Sequence, residues 1–147
     1  FRFEENGGIL QFRLWLENVE VRVLCWGSGG DTAKVVLQLP VRAAPKFRSA
    51  AGEFLHRLNF GAHRKFWELD YSDGEIRLAA YTDTISAPLD GALFRAILNA
   101  LARTADAVFP YLTSVLAGRL TPEFAADQAE AAISAAMRGS EKPDTGG

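Results

Sequence analysis

The sequence predicts an α+β domain with an antiparallel sheet of about five strands, in the order β-β-β-α-β-β-α-α, whose helices pack on one face. Three observations lead to this fold class. Apolar residues alternate with period two over the first forty residues, which is typical of strands with one buried face. Two further alternating segments flank the turn pair Asp73-Gly74. Elsewhere apolar residues recur at spacings of three and four, which is typical of amphipathic helices.

The first three strands are expected to form a meander. The first runs from Ile9 to Leu16, and the apolar parity then flips at Glu17-Asn18. This flip favours a tight hairpin, with a bulge in one longer strand as the alternative. A glycine-rich turn over 27–31 precedes a third strand, which we expect Pro40 to end because proline cannot donate to a sheet.

A helix and a second hairpin follow. Pro45 suits the first helical turn, and the apolar positions from Phe47 to Leu58 lie on one helical face that ends near Asn59. The second hairpin pairs 66–71 with 75–82. The two segments of this hairpin are the predicted fourth and fifth strands.

The remainder of the chain is predicted to be helical. A helix is expected to start at Ser86, and Pro110 interrupts its apolar stripe, which predicts two helices or one bent helix. Gly118 ends that segment, and Thr121 starts an alanine-rich helix that ends near Gly139. We expect one domain over residues 1–139 and a disordered tail over 140–147.

Composition excludes several classes of protein. Of the 147 residues, 48% are apolar and 23% charged, which is too hydrophobic for intrinsic disorder, and no apolar run is long enough to span a bilayer. The single cysteine, Cys25, excludes an internal disulfide and favours a cytoplasmic location. The chain begins at Phe1 rather than Met, so we expect that an N-terminal piece is missing.

The net charge of −2 does not call for nucleic acid or membrane as a partner. It is unevenly distributed, however. Residues 1–65 carry ten Lys and Arg against six Asp and Glu, whereas residues 66–147 carry six against twelve. Drift of surface side chains explains this division, and a basic sheet face opposed to an acidic helical face is the alternative.

No residues form a recognisable catalytic constellation. His56 and His63 are seven apart and lack the spacing of a helical metal pair, and Cys25 falls on the apolar face of a strand. The glycines over 27–30 lack the Lys-Ser/Thr ending of a phosphate loop. Asp70 and Asp73 could hold a divalent cation or act as an acid/base pair, although a solvated hairpin tip is commoner. We therefore assign no catalytic residue, cofactor or metal.

The sheet face opposite the predicted core is more informative. It carries Arg13, Trp15, Arg22 and Trp26, and tryptophan and arginine are enriched in protein interfaces. We predict these four residues as a partner-binding surface. Two alternatives remain: Trp15 and Trp26 are cross-strand partners that shield the sheet, or a missing N-terminal helix covers them.

Several motifs carry a resemblance to a known family. They are the helix end at Leu58-Asn59, the segment 66–70 (Phe-Trp-Glu-Leu-Asp), the hairpin 73–77 (Asp-Gly-Glu-Ile-Arg), and the long helix from Ala105-Asp106 through Pro110 to Gly118. With these motifs the chain resembles the YbjN family of bacterial proteins over residues 8–133. The resemblance implies a fold like that of the type III secretion chaperones, which are usually dimeric and hold segments of a partner protein. It also implies a role in regulating sensory transduction, with no catalytic site. The chaperone-like fold has a helix before the sheet, whereas this sequence begins at the sheet.

We therefore expect a non-enzymatic cytoplasmic domain that binds a protein or peptide partner, or itself as a homodimer, and neither nucleic acid nor membrane. One alternative is a dimerisation module of a larger protein that associates through its alanine-rich last helix. Another is a metal-binding domain that uses the acidic hairpin near Asp70 and Asp73.

Overall fold

The described part of the chain consists of one sheet and three α-helices. A computed structural model describes residues 4–6, 8–28, 32–84 and 89–139. In chain order the elements are β1 (Glu4–Asn6), β2 (Ile9–Trp15), β3 (Glu20–Ser28), β4 (Thr32–Arg42), a 3₁₀ turn (Pro45–Phe47), α1 (Arg48–Asn59), β5 (Lys65–Leu69), β6 (Glu75–Asp83), α2 (Gly91–Leu116) and α3 (Pro122–Arg138).

The sheet has the strand order β1-β2-β3-β4-β6-β5, and every neighbouring pair is antiparallel. This confirms the predicted α+β class and element order, with the short β1 added in front of the five expected strands. In this sheet the one pair of neighbours that is not consecutive in the chain is β4 and β6. In sequence α1 and β5 come between them, and β5 lies on the far side of β6. The last strand, β5, therefore forms one edge of the sheet.

The core lies between the helices and one face of the sheet. The predicted alternation is confirmed, since six strand residues on this inner face are at most 1% exposed: Val21, Val23, Val35, Leu37, Ile76 and Leu78. Phe12 and Leu14 of β2 lie on the same face but are only partly buried. Burial of each such side chain stabilises the fold by about 1.5–3 kcal/mol. The helices contribute Phe54, Leu101, Val108 and Leu112, all at most 1% exposed.

The first hairpin forms as predicted, but β4 ends later than predicted. Leu16 N–H donates to Val19 C=O (2.9 Å) across the tight turn. The expectation that Pro40 ends the strand is wrong, because β4 continues to Arg42. The β4–β6 register shifts between Gln38 and Arg42, so Pro40 lies at an irregularity where no ladder hydrogen bond is required of it. The turn predicted over 27–31 is shorter, since Gly27 still pairs with Ala33, and residues 29–31 lie outside the described part.

The long apolar stripe after the sheet is one helix, α2, with Pro110 inside it. Proline lacks an N–H, so it leaves the carbonyl of Asp106 without its usual helical donor. The side chain of Asn18, in the β2–β3 turn, donates to this carbonyl (3.2 Å), while Asn18 N–H donates to Asp106 Oδ1 (2.6 Å). The carbonyl that Pro110 leaves without a helical donor thereby links α2 to the sheet.

The helix termini partly follow the predictions. The start of α2 is Gly91, where the Asp90 side chain accepts from Leu93 N–H (2.8 Å); the predicted start, Ser86, lies outside the described residues. Gly118, with φ +69°, ends α2 as expected, and Thr121 caps α3. The predicted tail over 140–147 also lies outside the described part. None of the helices that the structure describes is both long and apolar enough to cross a membrane.

Candidate partner-binding face

The three helices pack on the inner face of the sheet, and the side chains that alternate with the core residues form the opposite face, which we call the outer face. Its residues include Gln11, Arg13, Trp15, Glu20, Arg22, Leu24, Trp26, Lys34, Val36, Gln38, Phe66, Glu68, Glu75, Arg77, Ala79 and Tyr81. The four residues predicted to bind a partner therefore share one face. No described helix covers that face.

The register separates the two tryptophans. Trp15 lies opposite Glu20, whereas Trp26 lies opposite Lys34 on the next strand. Glu20 and Trp26 are both on β3, six residues apart, which corresponds to about 20 Å along a strand. The alternative in which Trp15 and Trp26 shield the sheet as cross-strand partners is therefore wrong. The parity of β2 and β3 places both on one face but at opposite ends of it.

The end of the outer face near Trp15 is open. The Trp15 side chain is 70% exposed, in the last position of β2. Nearby, Arg13 Nη1 lies 3.2 Å from Glu20 Oε1, and the Arg13 side chain is 72% exposed. Arg22, which lies opposite Arg13, donates from Nη2 to Gln11 Oε1 (2.6 Å). This end therefore presents an accessible indole beside two guanidinium groups.

A depression of about 410 Å³ adjoins this end. It is lined by three arginines, Arg13, Arg22 and Arg42, and by two glutamates, Glu20 and Glu75. Arg42 Nη1 also pairs with Asp73 Oδ2 (2.8 Å) on the second hairpin. Planar guanidinium groups form directional hydrogen bonds with carboxylate and carbonyl oxygens, so this depression suits polar contacts around an apolar anchor.

The end near Trp26 is closed by its own contacts. Lys34 Nζ lies 5.5 Å from the centre of the Trp26 ring and 4.7 Å from that of Tyr81. It also lies 3.7 Å from Glu68 Oε1, and its side chain is only 14% exposed. A cation between two rings and a carboxylate is held by cation–π and charge–charge attraction together. Trp26 is therefore already engaged within the chain.

Glu68 joins this end to the middle of the face. It accepts from the Tyr81 hydroxyl (3.0 Å) and pairs with Arg77, while Gln38 donates to Glu75 one row away. Val36 and Ala79 are fully buried although they lie on the outer face. Sequence reasoning missed Lys34, Glu68 and Tyr81 as a group because their proximity depends on the non-sequential β4–β6 pairing.

The acidic hairpin holds its carboxylates in local contacts. Asp70 Oδ1 accepts from the Ser72 hydroxyl (2.6 Å) and from Ser72 N–H (2.8 Å), and these bonds lower the pKa of Asp70. Asp73 Oδ1 accepts from Glu75 N–H (2.9 Å), which, together with Arg42, lowers the pKa of Asp73. Within the described ranges, no three His, Cys, Asp or Glu side chains are placed to hold a metal ion.

The other residues considered for chemistry stand apart from one another. Cys25 is half-buried against the core, and burial raises the pKa of its thiol, which reduces the reactive thiolate at neutral pH. His56 and His63 are both exposed, on α1 and on the loop that follows it. The structure thus brings none of these three residues into a catalytic arrangement.

No protein-family model matches the chain, and no curated protein matches it. The structure agrees with the family resemblance at the level of the fold, which is α+β with an antiparallel sheet and packed helices.

Proposed function

We propose that this chain is a non-enzymatic protein-binding domain, and that the end of its outer face near Trp15 contacts a partner protein or a second copy of the chain. The observation that carries the proposal is Trp15, whose indole is 70% exposed at the end of a sheet face that no described helix covers. Arg13 and Arg22 flank it on the same face. Large exposed aromatic side chains beside arginines are the usual centres of binding energy in protein interfaces.

The scale of the effect supports a role in binding. A tryptophan side chain buries on the order of 200 Å² in an interface, and apolar burial contributes about 25 cal/mol per Å². With most of its surface still open, Trp15 offers about 3 kcal/mol to a partner that covers it. This corresponds to a change of about a hundredfold in affinity.

The proposal extends to a YbjN-type regulatory role. It is supported by the element order and by the motifs around Asn59, 66–70, 73–77 and Pro110, which carry the resemblance. By that resemblance, the domain would hold a segment of a partner protein, as secretion chaperones do, or form a dimer, in the regulation of sensory transduction.

The outer face is a better candidate for self-association than α3. Three alanines of α3, Ala125, Ala126 and Ala129, are buried against the rest of the chain and are not available to a second copy. Ala131 and Ala135 are exposed, but a methyl group offers a second copy far less apolar surface than an exposed tryptophan does. We therefore place self-association, like partner binding, at the Trp15 end.

The test compares partner recovery by affinity purification from native cells with self-association measured by sedimentation. Trp15→Ala is expected to reduce at least one of the two by more than tenfold, and Trp26→Ala to reduce it less, because Trp26 is engaged by Lys34. Phe124→Ala is the matched control, since Phe124 is 53% exposed but lies on α3. A folded variant lacking both tryptophans that keeps wild-type recovery and association would refute the proposal.

A further inference from the structure

One lysine lies on the core side of the sheet. Lys65 begins the edge strand β5 and pairs with Ala80, whose side chain is buried in the core. Its neighbour on the same face, Trp67, is buried as well. A charged side chain on an otherwise apolar face is unusual, because the ammonium must give up solvation to lie there.

The polar contacts of Lys65 leave part of its ammonium unused. Nζ donates to Thr104 Oγ1 (2.8 Å), and Thr104 in turn donates to Ala100 C=O (3.0 Å) on α2. Thr104 is 2% exposed, so this acceptor is fixed within the fold. An ammonium has three N–H donors, and no described carboxylate lies within 4.0 Å of Nζ. Burial also lowers the pKa of Lys65, as expected for a cation without a counter-charge.

The ammonium lines a cleft that is open to solvent. The cleft has a volume of about 300 Å³ and lies between the end of α1, β5, α2 and α3. Trp67, Leu78 and Ile133 supply apolar wall, while Phe60, Gly61 and Glu130 lie at its exposed margin. This volume is at the lower end of the range for small-molecule pockets and suits a compact ligand.

We propose that this cleft binds a small carboxylate with an apolar body, with the carboxylate accepting from Lys65 Nζ and the apolar part lying against Trp67 and Ile133. The carboxylate supplies the negative charge that the ammonium lacks, and charge-assisted hydrogen bonds of this kind are about twice as strong as neutral ones. Glu130 at the margin opposes a second negative charge there, which favours a monocarboxylate over a dicarboxylate. This site is separate from the outer face, so it does not depend on the proposed function.

Hexanoate is the probe, with 1-hexanol and hexylammonium as matched ligands that have the same chain but no negative charge. Calorimetry and the chemical shifts of the Lys65 side chain measure binding to the full chain. Hexanoate is expected to bind with heat and to shift the Lys65 signals, whereas the two matched ligands bind at least tenfold more weakly. Equal binding of hexanol, or no binding of hexanoate at millimolar concentration, overturns the proposal.

Two substitutions sharpen the test. Lys65→Met keeps an unbranched side chain that is one heavy atom shorter and removes the charge. It is expected to weaken hexanoate binding about tenfold or more, the loss of one charge-assisted hydrogen bond. Glu130→Gln removes the opposing charge and is expected to tighten binding by a few-fold. If Lys65→Met does not fold, the side-chain shifts of the wild-type protein still decide the matter. Unchanged affinity in a folded Lys65→Met variant refutes the site.

Discussion

Replacement of Asn59 by alanine should destabilise the fold through the edge strand β5. Asn59 ends α1, and its side chain meets the backbone of Trp67 in two places: Nδ2 donates to Trp67 C=O (2.9 Å), and Oδ1 accepts from Trp67 N–H (2.7 Å). Because β5 is the last strand of the sheet, these backbone groups have no further strand to pair with. The amide of Asn59 therefore takes the place of a neighbouring strand at Trp67.

The expected loss follows from these two contacts. Each hydrogen bond contributes about 1 kcal/mol net, so Asn59→Ala should lower the free energy of unfolding by about 2 kcal/mol. The entropy of unfolding near 60 °C is about 2.1 cal/mol/K per residue, so for the roughly 130 residues that the structure describes this corresponds to a fall in Tm of about 7 °C. Urea unfolding followed by far-UV circular dichroism gives the free energy, and a thermal scan gives Tm.

Asn99→Ala is the control for Asn59→Ala. Asn99 is exposed in the middle of α2, where alanine is the better helix former, so this variant should be unchanged or slightly more stable. If the free energy of unfolding of Asn59→Ala lies within about 0.5 kcal/mol of the wild-type value, water replaces the Asn59 amide at the β5 edge without cost, and the prediction is wrong. Equal losses in both variants would also refute it, because the loss would then not depend on the Trp67 backbone.

Three further predictions concern other contacts. Gly74→Ala should lower the free energy of unfolding in urea by at least about 2 kcal/mol, because Gly74 has φ +81° and a Cβ there would overlap the carbonyl oxygen of Ala43. Gly61→Ala, with φ +77° and open space around the added Cβ, should lower it by only about 1 kcal/mol. Equal losses would show that backbone conformation alone decides. Asn18→Ala should lower the free energy of unfolding by about 1 kcal/mol less in a Pro110→Ala background than in the wild type, because the N–H added at position 110 can then bond Asp106 C=O. A double-mutant cycle in which the two losses are additive would contradict this link. The pKa of Asp70 is lower in the folded state than in the unfolded state, so the Asp70 carboxylate stabilises the fold at pH values above its unfolded pKa. This stabilisation is lost as the pH falls through the folded pKa. Asp70→Asn should therefore flatten the dependence of the free energy of unfolding on pH below about 4. An acid-unfolding curve for Asp70→Asn parallel to that of the wild type would contradict the assignment.

The sequence predicts local pairing well and non-local pairing poorly. The parity of Val21, Val23 and their neighbours follows from a period of two, and both hairpins follow from turn signals, because each feature depends on adjacent residues. Pro40 was mispredicted because its tolerance depends on a register irregularity with β6, which lies over thirty residues further along the chain. The start of α2 was predicted at Ser86, whereas the cap is Asp90, whose side chain accepts from Leu93 N–H. Serine and aspartate are both good caps, so the residue type alone does not choose between the two positions.

In the candidate site, too, the features that depend on neighbouring residues could be predicted and those that depend on distant strands could not. Arg13 and Trp15 could be placed on the outer face because strand alternation alone decides their side of the sheet. The engagement of Trp26 could not be foreseen, because Lys34 is held there by Tyr81 and Glu68 from β6 and β5. Two tryptophans that look equivalent in the sequence thus differ in the structure, one open and one already in contact with a cation.

The contacts at the β5 edge and at the Trp15 end indicate how a partner would bind. A sheet can accept a partner by adding a strand at its edge or by contact with its face. At the β5 edge, the backbone of Trp67 is occupied by Asn59, so an added strand would first have to displace two hydrogen bonds. At the Trp15 end of the outer face, a partner would displace only solvent from an indole that is 70% exposed. Contact with the face therefore carries the smaller penalty, which is why the proposed binding surface is centred on Trp15 and not on the β5 edge.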